Sequence, residues 1–196
     1  KGMSILEYIF IILGILLAGS LVLFVRIPAK TLKLLLAFSG AFLFSVCIMH
    51  LIPEIYSEAD KLTGIFILSG FILQVIIEFF SEGIEHGHIH HHGHKEKAFP
   101  ITMMLALSIH SFLEGMPLAG QFGGSEHAHD SLFMGILMHN IPISIALCTL
   151  LIQSWLSKSM AIFWLLVFSL MTPLGALTAE LLGGYLNENL QAYAKY

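Results

Sequence analysis

The chain has 196 residues, 57% hydrophobic and 11% charged, with mean hydropathy +0.85, a composition that excludes an ordinary soluble domain and marks a membrane protein. A net charge of −4 with the histidines neutral leaves no basic surface for nucleic acid, and no glycine-rich phosphate loop supplies an engine for ATP-driven pumping. Any transport is therefore passive or ion-coupled.

Apolar runs long enough to cross a bilayer, roughly 20 residues each, cover about 4–25, 32–53, 62–82, 99–122, 131–156 and 159–183. The fold class expected is all-α: a polytopic membrane helix bundle forming one transmembrane domain over 1–196, with a His-rich loop at 84–97. The first run exceeds the roughly 7–15-residue core of a secretory signal and has no small-residue cleavage site where one is needed, so it is read as a retained helix. Small residues such as Gly14 with Ala18, or Gly115 with Ala119, permit close helix packing without establishing a homodimer. Cys47 and Cys148 stand singly inside apolar runs, with neither the pairing nor the spacing of a disulfide or a thiolate zinc site.

An ionisable group at the bilayer centre costs about 2.5–3.5 kcal/mol on insertion scales, so each needs a reason. The second run ends SVCIMHLIPE, placing His50 and Glu54 four apart at its outer end. They are candidates for receiving a cation at the mouth, the alternative being two solvated interfacial residues where Pro53 stops the helix. Gln74 and Glu78 repeat the spacing in the third run, with Glu78 read as reaching to the membrane surface. The following loop, EHGHIHHHGH, contributes His86, His88, His90, His91, His92 and His94. It is polar and lacks partner residues that would fix a geometry, so metal binding there is expected to be loose.

The fourth run contains LSIHSFLEGMPLAG, with His110 and Glu114 on one helix face. An imidazole and a carboxylate at that spacing can meet one cation, since zinc takes both donors at about 2.0–2.2 Å. Glu126, His127, His129 and Asp130 in the next outer segment could gather cations, the preferred alternative being an ordinary wet loop. The fifth run, GILMHNIPISIAL, adds His139 and Asn140, the latter about 100° around the helix from its neighbour. Pro117 and Pro142 lack the amide hydrogen that the carbonyls of Leu113 and Met138 would receive, so kinks and loose carbonyls are expected beside the candidate ligands. The competing reading is a polar staple in which the histidines bond between helices.

Arg26, Lys30, Lys33, Lys95, Lys97 and Lys158 fall on one side of the membrane, and Lys1, Lys61 and Lys195 on the other. By the positive-inside rule the amino terminus faces out and the histidine loop faces the cytoplasm.

These residues resemble the ZIP (Zrt/Irt-like) family of divalent metal transporters. SGAFLFSVCIMHLIPE is similar to the family's second helix, HSFLEGMPLAG to its fourth, HNIP to its fifth and FSLMTPLGA to its sixth; a cytoplasmic histidine loop between helices 3 and 4 is also a family habit. The resemblance implies uptake of zinc or a similar ion into the cytoplasm through a site between the fourth and fifth helices, with His110, Glu114, His139 and Asn140 as ligands and His50 near the outer entrance. It also implies eight helices, with helices 1–3 and 6–8 related as inverted repeats, so the six found here are read as part of a longer arrangement. This chain has Ile143, Thr172 and Ser111 where many relatives have ligands for a second ion, so one metal is expected rather than two.

Nitrogen and oxygen donors suit Zn2+, with Fe2+, Mn2+ and Cd2+ as alternatives, and a conducting site must also release what it binds. Two other functions compete: an intramembrane zinc hydrolase and a metal sensor that does not transport. The hydrolase lacks an HExxH motif, and Glu114 is spaced as a ligand rather than a general base. The chain is therefore expected not to be an enzyme.

Overall fold

The computed structural model describes residues 2–57, 62–80, 101–119, 126–154 and 156–193, and among these every regular element is helical. α1 (Ile5–Ser20) begins at Ser4, whose hydroxyl accepts the Glu7 amide while the Glu7 carboxylate accepts from the Ser4 amide. This reciprocal cap satisfies donors that a helix start otherwise leaves open. α2 (Ala29–Val46) starts after Pro28, whose fixed φ suits a helix entry.

The second run does not stop at Pro53. α2 passes into a wide π turn over Cys47–Leu51, and a short α3 (Ile52–Ser57) continues through the proline. The extra residue per turn re-sets the register just before the residue that cannot donate. α4 (Thr63–Phe80) follows, then α5 (Ile101–Gly115), which tightens into a 3-10 turn at Met116–Ala119. Pro117 thus ends this helix rather than kinking it. α6 (Glu126–Gln153) runs unbroken past Pro142. α7 (Lys158–Ser169) is capped by Ser157, which accepts the Met160 amide at 3.2 Å. α8 (Met171–Tyr193) begins almost at once, with Pro173 in its first turn, where a missing amide costs least.

Among the described residues, five stretches are long and apolar enough to cross a membrane: Ile5–Leu23, Ala29–Tyr56, Ile101–Ala119, Ala128–Gln153 and Lys158–Gly184; Thr63–Phe79 is apolar but shorter. α6 is the central helix, with two-thirds of its span buried, packed by α1, α2 and α7, while α5 lies against α8 and α4. Ile136, Ile143, Leu147 and Leu151 of α6 meet Ile11 and Ile15 of α1 and Leu165 and Phe168 of α7 in the core. In a bilayer such contacts are favoured by close packing and hydrogen bonds rather than by expulsion of water. Outward side chains such as Phe66, Phe71 and Phe79 on α4 are exposed, as lipid-facing positions should be.

α5 and α8 approach to backbone contact. A methyl group at Gly115 would fall on the Thr172 carbonyl, and one at Gly175 on that of Phe112. The two backbones therefore touch with no side chain between them, which only glycine allows. Gly115 is used here within the chain.

Candidate metal site

α5 carries His110 and Glu114, one turn apart on the face that meets α6. α6 carries His139, and one donor atom from each of the three lies within 4.8 Å of the others. The two imidazoles stand edge to face, with centroids 6.1 Å apart and planes at 72°. Tetrahedral zinc with donors at about 2.1 Å would place them about 3.4 Å apart, so binding would draw the three together. Three protein donors leave one coordination position for water or an incoming ligand.

Each donor has a supporting partner. On α2, the Ser39 hydroxyl donates its proton to the Leu36 carbonyl at 3.0 Å and lies 3.4 Å from His139 Nδ1. Ser39 can accept from Nδ1 when the ring proton sits there, and in that tautomer Nε2 keeps its lone pair. Gly40 opens the space beside this ring, its missing methyl lying 4.0 Å from Cε1. On α4, the Gln74 amide nitrogen lies 2.7 Å from His110 Nδ1.

Glu114 is held through α6. Asn140, fully buried, donates from its amide to Glu114 Oε2 at 2.8 Å and to the Ile136 carbonyl at 3.1 Å. Its oxygen accepts from Ser111 at 2.8 Å, and Ser111 lies 3.3 Å from Thr172 Oγ1. Since the Ser111 proton points to Asn140, Thr172 is the donor to Ser111. The chain of bonds runs Thr172 to Ser111 to Asn140 to Glu114, each member polarising the next. Asn140 therefore meets Glu114 as a hydrogen-bond donor, with its amide oxygen already engaged by Ser111.

Toward the start of α6 from His139, along the α2–α6 groove, lies a cavity of about 490 Å³, lined by His50, Met49 and Ser45 on one side and by Asp130, Ser131 and Met134 on the other. The π turn presents His50 to this space, and Glu54 is not among its lining residues. His129 bonds across to Glu7 of α1 at 3.0 Å. The histidines at 86, 88, 90, 91, 92 and 94 lie outside the described residues.

Sequence reasoning named His110, Glu114, His139 and Asn140 as candidate ligands from spacing and motif, but passed over Ser39 and took Gln74 only as an echo of Glu78. The signal for Gln74 was available: an uncharged polar side chain in a spanning helix needs a partner at membrane depth. Nothing local pointed to Ser39.

A family model described as ZIP zinc transporter matches residues 85–192, more than half of the chain. No curated protein and no solved structure matches it. The matched segment contains all three candidate donors, Asn140 and the α5–α8 crossing, and the chain belongs to the ZIP zinc transporter family of integral membrane proteins, which move metal ions across the bilayer.

Proposed function

We propose that the chain carries zinc or a similar divalent ion into the cytoplasm, binding it between α5 and α6 at His110, Glu114 and His139. The observation that carries this reading is the convergence of two imidazoles and a carboxylate from two spanning helices, each with a partner that orients it. Mixed nitrogen and oxygen donors with an open position bind firmly enough to replace hydration, yet allow ligand exchange for release. Asn140 serves the site by directing Glu114.

The ion enters past His50 and Asp130, follows the α2–α6 groove inward to His139, and leaves toward the histidine loop. The inward direction rests on the positive-inside asymmetry. One ion is held rather than two, because Ser111, Thr172 and Ile143 offer hydroxyls and a hydrocarbon side chain near Asn140, and the hydroxyls are already bonded to one another. The metal is zinc by family; Fe2+, Mn2+ and Cd2+ share the donor preference in part.

The test is zinc uptake into proteoliposomes. His110→Ala and Glu114→Ala should each lower flux at least about tenfold, because each removes one of three donors. Unchanged flux in both variants would refute the site.

A further inference from the structure

The cavity beside His50 has donors of a different kind from those at His110, Glu114 and His139. Two of its lining side chains, Met49 and Met134, are thioethers, and they come from facing helices. Asp130 and Met134 stand one turn apart on α6 and so share a face. Met49 and His50 are adjacent, and an α turn would splay them by about 100°. They lie instead in the π turn Cys47–Leu51, which holds more residues per turn and narrows that angle. Both side chains therefore line one cavity.

We propose that Met49, His50 and Met134 form a binding site for a soft monovalent cation of the Cu+ class, separate from the three-donor zinc site. Protein zinc sites take thiolate, imidazole and carboxylate donors, whereas a thioether is a polarisable, uncharged donor that selects copper(I). Neither sulfur has a proton to lose on binding. Asp130 is the one carboxylate among the described residues lining the cavity, and Phe42 and Val46 add hydrocarbon to its wall. Its single negative charge balances a single positive one, while a divalent ion held there would leave an excess charge against an apolar surface. Leucine would line a passage equally well; two sulfurs beside an imidazole make a donor set. A divalent ion passing His50 uses neither sulfur, so the inference stands or falls apart from the zinc site.

The experiment treats the purified full chain with dilute hydrogen peroxide and follows sulfoxide formation at each methionine by mass spectrometry, with and without Ag+. Silver shares the donor preference of Cu+ and does not oxidise in air. A sulfur whose lone pair is held by Ag+ resists peroxide, so Ag+ should slow oxidation of Met49 and Met134 at least about tenfold. Met160, exposed on α7 and not among the lining residues, should slow by less than about twofold, and Zn2+ should protect neither cavity methionine. Met49→Leu keeps the volume and removes one sulfur, and Met134 should then lose its protection. His50→Ala should remove protection at both, with oxidation rates in the absence of Ag+ unchanged, which reports an intact fold. Equal slowing at Met160 would mean adventitious binding of silver to any exposed thioether and overturn the inference. Full protection of Met134 in Met49→Leu would overturn it too, by showing that the sulfurs bind separately. No slowing by Ag+, equal protection by Zn2+, or undiminished protection in His50→Ala would each do the same.

Discussion

Glu114 accepts from a neutral group, the Asn140 amide. Ser111, Asn140 and Thr172 are each fully buried, and each loses a partner if its neighbour is removed. Asn140→Leu removes both amide donors and the acceptor of the Ser111 proton, leaving buried polar groups unmatched at about 1–3 kcal/mol each. We expect this variant to unfold at a clearly lower temperature in detergent and to bind zinc weakly. Thr172→Val, at the far end of the chain of bonds, should cost about 0.5–1.5 kcal/mol with a smaller effect on binding. Calorimetric unfolding with and without zinc checks both, and a larger effect from Thr172→Val than from Asn140→Leu would contradict the bond order described. Residues that act through their own helix were legible in sequence: His110 and Glu114 announce themselves by a four-residue interval on one face. Asn140 was harder to place, because its function depends on Ser111 and Glu114, 29 and 26 residues away. Its 100° offset from His139 left its role open between ligand and packing.

At the level of the helix, prolines act at three different places in a turn. Pro117 ends α5, Pro142 lies inside α6, and Pro173 sits in the first turn of α8. A sequence shows which carbonyl each proline deprives, but packing decides whether the helix bends, stops or continues. The same holds for glycines. Gly115 looks like half of a small-residue pair, and only the fold reveals that its partner is the Thr172 carbonyl on α8. Gly115→Ala and Gly175→Ala should each destabilise by about 1–3 kcal/mol through overpacking and lengthen the Ser111–Thr172 contact. Gly70→Ala, where nothing lies within 4 Å, should be neutral or stabilising by up to about 1 kcal/mol through helix propensity. Thermal midpoints of the three variants, measured side by side, decide it; equal tolerance at all three sites would mean the helices do not cross as described.

For the whole molecule, hydropathy and charge made the class legible: a long apolar chain with few charges leaves little choice but a helical bundle, because backbone groups in lipid must bond within their own segment. Which helix would be central was not legible, since α6 owes its burial to neighbours far away in sequence. The histidine-rich tract, the most conspicuous feature of the sequence, contributes none of the three converging donors. Deletion of residues 86–94 should therefore lower the number of zinc ions bound per chain to about one, as expected of a single three-donor site, while uptake persists. Complete loss of flux would put the tract in the conduction path. The α5–α8 crossing bears on how such a molecule can move. Packed helices slide by exchanging rotamers at their interface, and where Gly115 and Gly175 meet facing carbonyls there is no side chain to exchange. That crossing behaves as a weld, so a change of access must occur across seams lined by adjustable side chains, such as the methionine-lined groove between α2 and α6.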